Sequence, residues 1–333
     1  MTIKDTNRSS VLSNQMDELY LNAFQSKYIT KEALEGNERL HFFDVEDEID
    51  YKIQINHVRS KYSKEMAGVK KPQLPSGAKC PICIENVGSK GKENLQHIPI
   101  ELGTTPFFLQ LTPFPLYHHH FVLISEEHKP MEVSSESFKN QLNFLDMLPT
   151  YTVCSNSDRE WAGASILSHL HYQVFKKLAL PIFNTKAKAQ FIQNQVTYTL
   201  CNYPLTVIKL EGKDRILIEI ALQTVLSKWR GTNNENTFNT AMRRLNNEYQ
   251  VYLVFRNPAF RTPENLLKYK YEGVGVIEAC GEGILPTPEG ENAQELNEAI
   301  KKEGKHIIKG ILEGLNPLSE GAALAFFNQL KGE

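Results

Sequence analysis

Eight residues, Leu167-Ser-His-Leu-His-Tyr-Gln-Val174, carry the densest chemistry of this sequence. On a strand, side chains at i, i+2 and i+4 share one face, so His169, His171 and Gln173 are expected to point one way while Leu170, Tyr172 and Val174 face a core. Two imidazoles and an amide arrayed at strand spacing inside an apolar segment mark a site rather than a packing surface. A neutral imidazole, with an ordinary pKa of about 6.5, is a competent nucleophile at neutral pH and attacks phosphorus without a strong base to activate it. The group it receives is labile enough to be passed on, which divides one hard transfer into two easier ones. The second cluster is Cys80-Pro-Ile-Cys83. Five cysteines, an odd number scattered over a long chain, do not make a disulfide framework, so this pair reads as half of a metal site.

The elements that must hold these residues follow from periodicity. Residues 1–48 read as a helical lead-in, with Leu12, Met16, Leu19 and Ala23 on the buried face. Residues 49–180 begin with the alternating run Tyr51-Lys-Ile-Gln-Ile-Asn56, a strand, and pass through a Pro- and Gly-rich loop, Lys70 to Gly77, into the cysteine pair. Four further strands are expected at Phe107 to Leu111, Phe121 to Ile124, Tyr151 to Cys154 and Leu167 to Val174, with a helix at Phe138 to Leu148 crossing between the second and third of these. Residues 181–333 form a second unit: strands at Leu205 to Leu210, Tyr249 to Phe255 and Val274 to Ala279, a helix at Ile216 to Trp229, and a helical end from Ala293 to Leu330 broken at Asn316-Pro317. The pattern is α+β.

Composition narrows the function classes. The 333 residues carry 37 Lys+Arg against 39 Asp+Glu, a formal net charge of −2, which argues against a nucleic-acid partner held by bulk charge and for a small-molecule one. Hydrophobic residues at 41% and charged residues at 23% fit a folded protein with a large core. No apolar run approaches the ~18 residues that cross a bilayer. The polar stretch Met1 to Leu19 lacks a signal core, so no membrane partner and a cytoplasmic location are expected.

Other polar residues attract blander readings. His118-His-His120 cannot converge on one ion, because consecutive strand residues alternate faces, and reads as a loop and strand entrance beside the site. Cys154, Cys201 and Cys280 read as core residues, and Arg243 with Arg244 as a solvated face. Glu278 is odd in an apolar strand and a candidate for a sugar-hydroxyl contact.

His-x-His-x-Gln on a strand resembles the nucleotidylyltransferase and phosphorylase branch of the histidine-triad superfamily. Cys80-Pro-Ile-Cys-Ile-Glu-Asn86, Phe121-Val-Leu-Ile-Ser-Glu-Glu-His-Lys-Pro-Met131 and the Asn156 loop running into Gly163-Ala-Ser-Ile-Leu-Ser-His-Leu-His-Tyr-Gln173 resemble the zinc-containing, class I type of galactose-1-phosphate uridylyltransferase. The resemblance implies a histidine-triad-like mixed or antiparallel sheet with flanking helices, in two such halves. It assigns the nucleophile to His171, with Gln173 as an uncharged donor to a phosphoryl oxygen, and a structural Zn2+ to Cys80, Cys83, His128 and His169. Asn156 and Ser165 fall where relatives contact phosphate, and Gln54, Asn56 and Arg59 on a nucleotide-binding strand.

The implied reaction moves a nucleoside monophosphate, UMP by default, from a nucleotide sugar to a sugar 1-phosphate, in an enzyme that is a homodimer by analogy. Leu170 stands where the uridylyltransferases usually carry proline, and His-Leu-His-x-Gln looks at least as much like nucleotide-hexose phosphorylases. A phosphorylase using inorganic phosphate, on a nucleotide sugar or a dinucleoside polyphosphate, is therefore the alternative. The third reading is a non-catalytic, zinc-stabilised nucleotide-binding protein.

Overall fold

The computed structural model describes residues 3–57, 74–163, 166–270 and 273–332, the side chains of residues 3–8 apart. The chain opens with helices α1 (Ile3–Gln25) and α2 (Lys31–Glu35) and strands β1 (Glu38–Asp44) and β2 (Ile49–Asn56). The first half of the main sheet follows: β3 (His97–Leu102), β4 (Thr105–Leu111), β5 (His120–Ser125), helix α3 (Ser135–Met147), β6 (Tyr151–Ser155) and β7 (His171–Lys176). The second half repeats that order: β8 (Ala187–Gln193), β9 (Val196–Cys201), β10 (Val207–Gly212), helix α4 (Arg215–Thr232), β11 (Thr237–Leu245) and β12 (Glu248–Arg256). The chain ends with the single turn α5 (Val276–Ala279), β13 (Glu282–Pro286), α6 (Ala293–Gly314) and α7 (Glu320–Gln329).

The ten strands β3 to β12 pair side by side in the order β3-β4-β5-β7-β6-β11-β12-β10-β9-β8. Each half has one topology: three strands of a meander, a helix, then two strands that swap places. The halves meet through antiparallel pairing of β6 with β11, Cys154 opposite Ala241. The two-half α+β architecture expected from the sequence is thus the one observed, and its two halves make one continuous sheet.

Alternation along the strands builds a core on each face of that sheet. On one face Tyr172 and Val174 of β7 join Phe121, Leu123 and Val153 beneath α3, whose Phe138, Leu142 and Leu145 point inward, and beneath α1 through Leu12, Met16 and Leu19. Both crossing helices start at side-chain caps: Ser134 Oγ accepts from the Ser137 amide, and Asp214 Oδ1 from the amides of Ile216 and Leu217. On the other face Cys154, Phe175, Ala241, Tyr252 and Val254 pack under a three-stranded sheet, β1-β2-β13, backed by α6. Helix α6 comes so close to this small sheet that a Cβ on Gly304 would lie 2.4 Å from the Phe42 ring.

Several expectations change. The segment Glu38–Asp44, inside the anticipated helical lead-in, is strand β1, and the small sheet draws one strand each from the segments 1–48, 49–180 and 181–333. Strand β7 starts at His171, not at Leu167, so His169 lies before the strand. Val274 to Ala279 is not a strand: the Glu278 carboxylate accepts the Gly275 amide and closes a helical turn there. Strands β3, β8, β9, β11 and β13 were not evident from the sequence. Edge strand β8 hides its pattern behind exposed Lys and Gln. β11 carries polar Thr and Asn that are fully buried. Cys154, Cys201 and Cys280 are buried as anticipated.

Candidate active site and metal centre

Cys80, Cys83, His128 and His169 converge, with all four ligand atoms within 4.8 Å of one another. The Cys80 and Cys83 sulfurs are 3.5 Å apart; His169 Nδ1 lies 3.2 Å from Cys80 Sγ, and His128 Nδ1 lies 3.1 Å from Cys83 Sγ. Two thiols and two imidazoles at these separations form the edges of a tetrahedron that could hold a metal ion. The supporting groups fit as well. His169 Nε2–H donates to the Ser125 carbonyl at 2.7 Å, which leaves Nδ1 with the lone pair a metal needs. The Asn86 amide donates to the carbonyls of Cys80 and Cys83, both at 2.9 Å, and fixes the cysteine turn. Burial, reinforced by the neighbouring Cys83 thiol, pushes the Cys80 thiol up to about 11, so thiolate there requires a cation.

His169 thus turns toward this cluster, while His171, two residues on, lies in the wall of a cleft of about 840 Å³ together with Gln173. His171 Nδ1–H donates to the carbonyl of His169 at 2.8 Å, so Nε2 bears the lone pair. Burial holds its pKa below the ordinary imidazole value, the hydrogen bond to His169 opposing, and the ring is neutral at neutral pH. Gln173 pairs with Val122 on β5 and Cys154 on β6, which keeps its amide on the same face of the sheet.

The walls come from both halves. Asn156 lines the cleft, and its Oδ1 accepts the Val276 amide at 2.9 Å. Gly163 has φ +116°, and a Cβ there would meet Gly275 Cα and the Val274 carbonyl at 2.9 Å, so the two loops touch backbone to backbone. Arg256, at the end of β12 and fully buried, donates to Asn239 Oδ1, to the Val274 carbonyl at 2.9 Å and to the Trp161 carbonyl at 3.2 Å. Burial pulls its guanidinium down to about 10, which leaves it charged at neutral pH. Lys270 and Glu278 form an ion pair in the same wall, so Glu278 sits on α5 rather than in a strand. Lys92 Nζ donates to the Pro81 carbonyl at 2.8 Å and to Asn86 Oδ1 at 3.0 Å and also borders the cleft.

Not every anticipated residue reaches the cleft. Gln54 and Asn56 are buried on β2, where Gln54 donates to the Leu116 carbonyl at 3.1 Å; among the described residues neither lines the cleft wall. Arg59 and Ser165, and the remainder of the 58–73 loop, lie outside the described residues. The three histidines do not converge on one ion: in the turn before β5, His118 Nδ1 shares a hydrogen bond with the Tyr20 hydroxyl and His119 pairs with Asp17 on α1, while His120, the first residue of β5, enters the cleft wall stacked on Phe175. Arg243 and Arg244 are not simply solvated, since Arg243 covers the Phe183 ring and Arg244 pairs with Asp146. Lys92, Trp161, Asn239, Arg256 and Lys270 escaped sequence reasoning. A charge closing the apolar strand Val251-Tyr-Leu-Val-Phe-Arg256 was the one local signal among them.

A family model described as a domain of unknown function, DUF4922, matches residues 14–176, which contain the whole metal cluster and both His171 and Gln173. The chain is 29% identical over 301 residues to a galactose-1-phosphate uridylyltransferase of Clostridium acetobutylicum, covering 80% of this chain and 60% of that one. With the enzyme of the same name from Halalkalibacterium halodurans it shares 30% over 308 residues, 83% of this chain and 60% of that one. The chain is similar in sequence to galactose-1-phosphate uridylyltransferases. It spans about three-fifths of the length of these two. Among solved structures, yeast Ap4A phosphorylase superposes with a TM-score of 0.57 at 15% identity, over 91% of this chain and 94% of the other. The same enzyme in complex with Ap4A gives 0.59 at 12%, over 92% and 97%. The fold of the chain is thus similar to that of this phosphorylase. Among the described residues no helix is long and apolar enough to cross a membrane.

Proposed function

We propose that the chain is a nucleotidylyltransferase that takes a nucleoside monophosphate from a nucleotide sugar and hands it to a sugar 1-phosphate through a covalent intermediate on His171. UMP and galactose 1-phosphate are the default pair, taken from the names of the relatives. The observation that carries the reading is the fixed tautomer of His171: Nδ1–H is bound to the His169 carbonyl, and Nε2 is the atom left to attack. Nε2 bonds to the α-phosphorus while the bond from that phosphorus to the bridging oxygen breaks, and the sugar phosphate leaves as an anion needing no proton. The incoming sugar phosphate oxygen then bonds to the same phosphorus as the nitrogen–phosphorus bond breaks. The His169 carbonyl stabilises the positive charge on the substituted ring. Gln173 offers its amide N–H to the non-bridging oxygens, where charge builds in both transition states.

Cys80, Cys83, His128 and His169 would hold zinc, which supplies a structural cross-link there rather than a reactive group, since all four positions are filled by protein. Holding His169 also holds the carbonyl that orients His171. The test is incubation with UDP-glucose labelled at the α-phosphorus and no acceptor. An acid-labile adduct on His171 is expected, discharged by galactose 1-phosphate. No adduct with any nucleotide sugar or dinucleoside polyphosphate overturns the proposal. The phosphorylase reading shares every step up to the adduct and is favoured by the fold held in common with yeast Ap4A phosphorylase; discharge by inorganic phosphate instead of sugar phosphate selects it.

A further inference from the structure

The chain has two tryptophans. Trp229 is 3% exposed and belongs to the core, with its Nε1–H bound to the Thr237 carbonyl. Trp161 is 45% exposed and borders the cleft that holds His171. Its backbone lies in the left-handed region, φ +63°, a conformation that a bulky side chain rarely adopts. The conformation persists because the flanking backbone is tied down: Arg256 holds the Trp161 carbonyl, Asn239 Nδ2 holds the Ala162 carbonyl at 2.9 Å, and Gly163 is pressed against Gly275. The Arg261 guanidinium lies 4.4 Å from the centre of the indole. Arg261 is not among the residues that line the cleft, whereas Trp161 is.

A flat, exposed ring on a tethered backbone, in the same cleft as His171, can recognise a ligand by its face with little ordering cost on binding. We propose that Trp161 is the stacking platform for the nucleobase of the substrate. A sugar ring is the weaker fit. Sugar hydroxyls need free polar side chains beside the aromatic ring, and two that line the same cleft are already engaged: Glu278 with Lys270 and the Gly275 amide, Asn156 with the Val276 amide. The inference rests on the nucleotidyl-transfer reading and adds to it the residue that grips the base. Stacking is tolerant of base identity, so the platform favours nucleosides over non-aromatic phosphates rather than one base over another.

Intrinsic fluorescence tests it, because a base stacked on Trp161 quenches an emission that only one other tryptophan shares. UMP and AMP are expected to quench the wild-type protein and Trp229→Phe, and glucose 1-phosphate is expected not to. Trp161→Ala should lose the quench and weaken UMP binding, measured by calorimetry, about tenfold, with Trp161→Phe restoring most of the affinity. Unchanged UMP affinity in Trp161→Ala overturns the proposal. So does a quench by glucose 1-phosphate whose loss in Trp161→Ala accompanies weaker sugar-phosphate binding alone. Failure of the transfer reading shows separately, as UMP bound to wild-type protein that never forms the His171 adduct.

Discussion

His171 donates its Nδ1–H to the carbonyl of His169, the residue whose own imidazole completes the metal cluster. One backbone carbonyl therefore joins a structural site to a chemical one. The cluster holds His169, and the hydrogen bond to its carbonyl leaves Nε2 as the nitrogen of His171 that bears the free lone pair.

Removing the nucleophile should end covalent chemistry without unfolding the chain. His171→Ala is expected to show no nucleotidyl adduct and to lower turnover by on the order of a thousandfold or more, with a melting temperature near that of the wild type. Mass spectrometry of the trapped intermediate and a thermal melt check both parts.

Gln173 is expected to act on the transition state rather than on substrate binding. Gln173→Ala should lower kcat by about a hundredfold to a thousandfold with little change in KM, the effect of deleting one oxyanion donor. Gln173→Glu should be worse, because it places a carboxylate where phosphoryl charge accumulates. Steady-state kinetics on both variants decide it.

Purified protein should contain close to one zinc per chain by elemental analysis. Cys80→Ser and Cys83→Ser should lose it and lower the melting temperature by on the order of 5 °C or more, since the cluster ties the cysteine turn to the loops after β5 and before β7. A folded, fully stable metal-free protein contradicts this assignment.

Arg256 sews the second half to the cleft. Arg256→Met leaves Asn239 and the carbonyls of Val274 and Trp161 without their buried donor, at a cost of about 3–5 kcal/mol in unfolding free energy. Denaturant melts measure it, and the surviving folded fraction should bind UMP more weakly than wild type because the Trp161 loop has lost its tether.

Asp44 gives a prediction in pH. Burial opposes its ionisation, but the amides of Asp47 and Glu46 and the ammonium groups of Lys309 and Lys305 prevail and hold its pKa below the ordinary aspartate value. A depressed folded pKa stabilises the native state above the unfolded value of about 4, and that contribution is lost as pH falls through the folded pKa. Asp44→Asn should therefore cost about 1–2 kcal/mol at pH 7 and flatten the loss of stability that the wild type shows below pH 4, read from urea midpoints across pH.

The legible part of the site was that in which chemistry and periodicity coincide within a few residues. His171 and Gln173 occupy alternate positions of β7, with Tyr172 between them in the core, as the pattern of the segment required. The cysteine turn was equally plain from its spacing, and its histidine partners from the resemblance. His169 was misplaced by one detail: read as a strand residue facing the same way as His171, it precedes the strand and turns to the cluster instead. Alternation cannot reveal that, because a strand end is set by where pairing with β5 and β6 stops.

What the sequence by itself determined is local: the helical and pleated repeats, and the residue types able to bind metal and attack phosphorus. What only the tertiary structure decided is how distant pieces meet. The joining of two like halves through β6 and β11, the capture of β1, β2 and β13 from far-apart segments into one small sheet, and the reach of Arg256 across 95 residues to Trp161 are all of this kind. The physical reason is that local periodicity records which side of an element is buried, whereas the partner that buries it is chosen by strand pairing and packing between residues with no sequence relation.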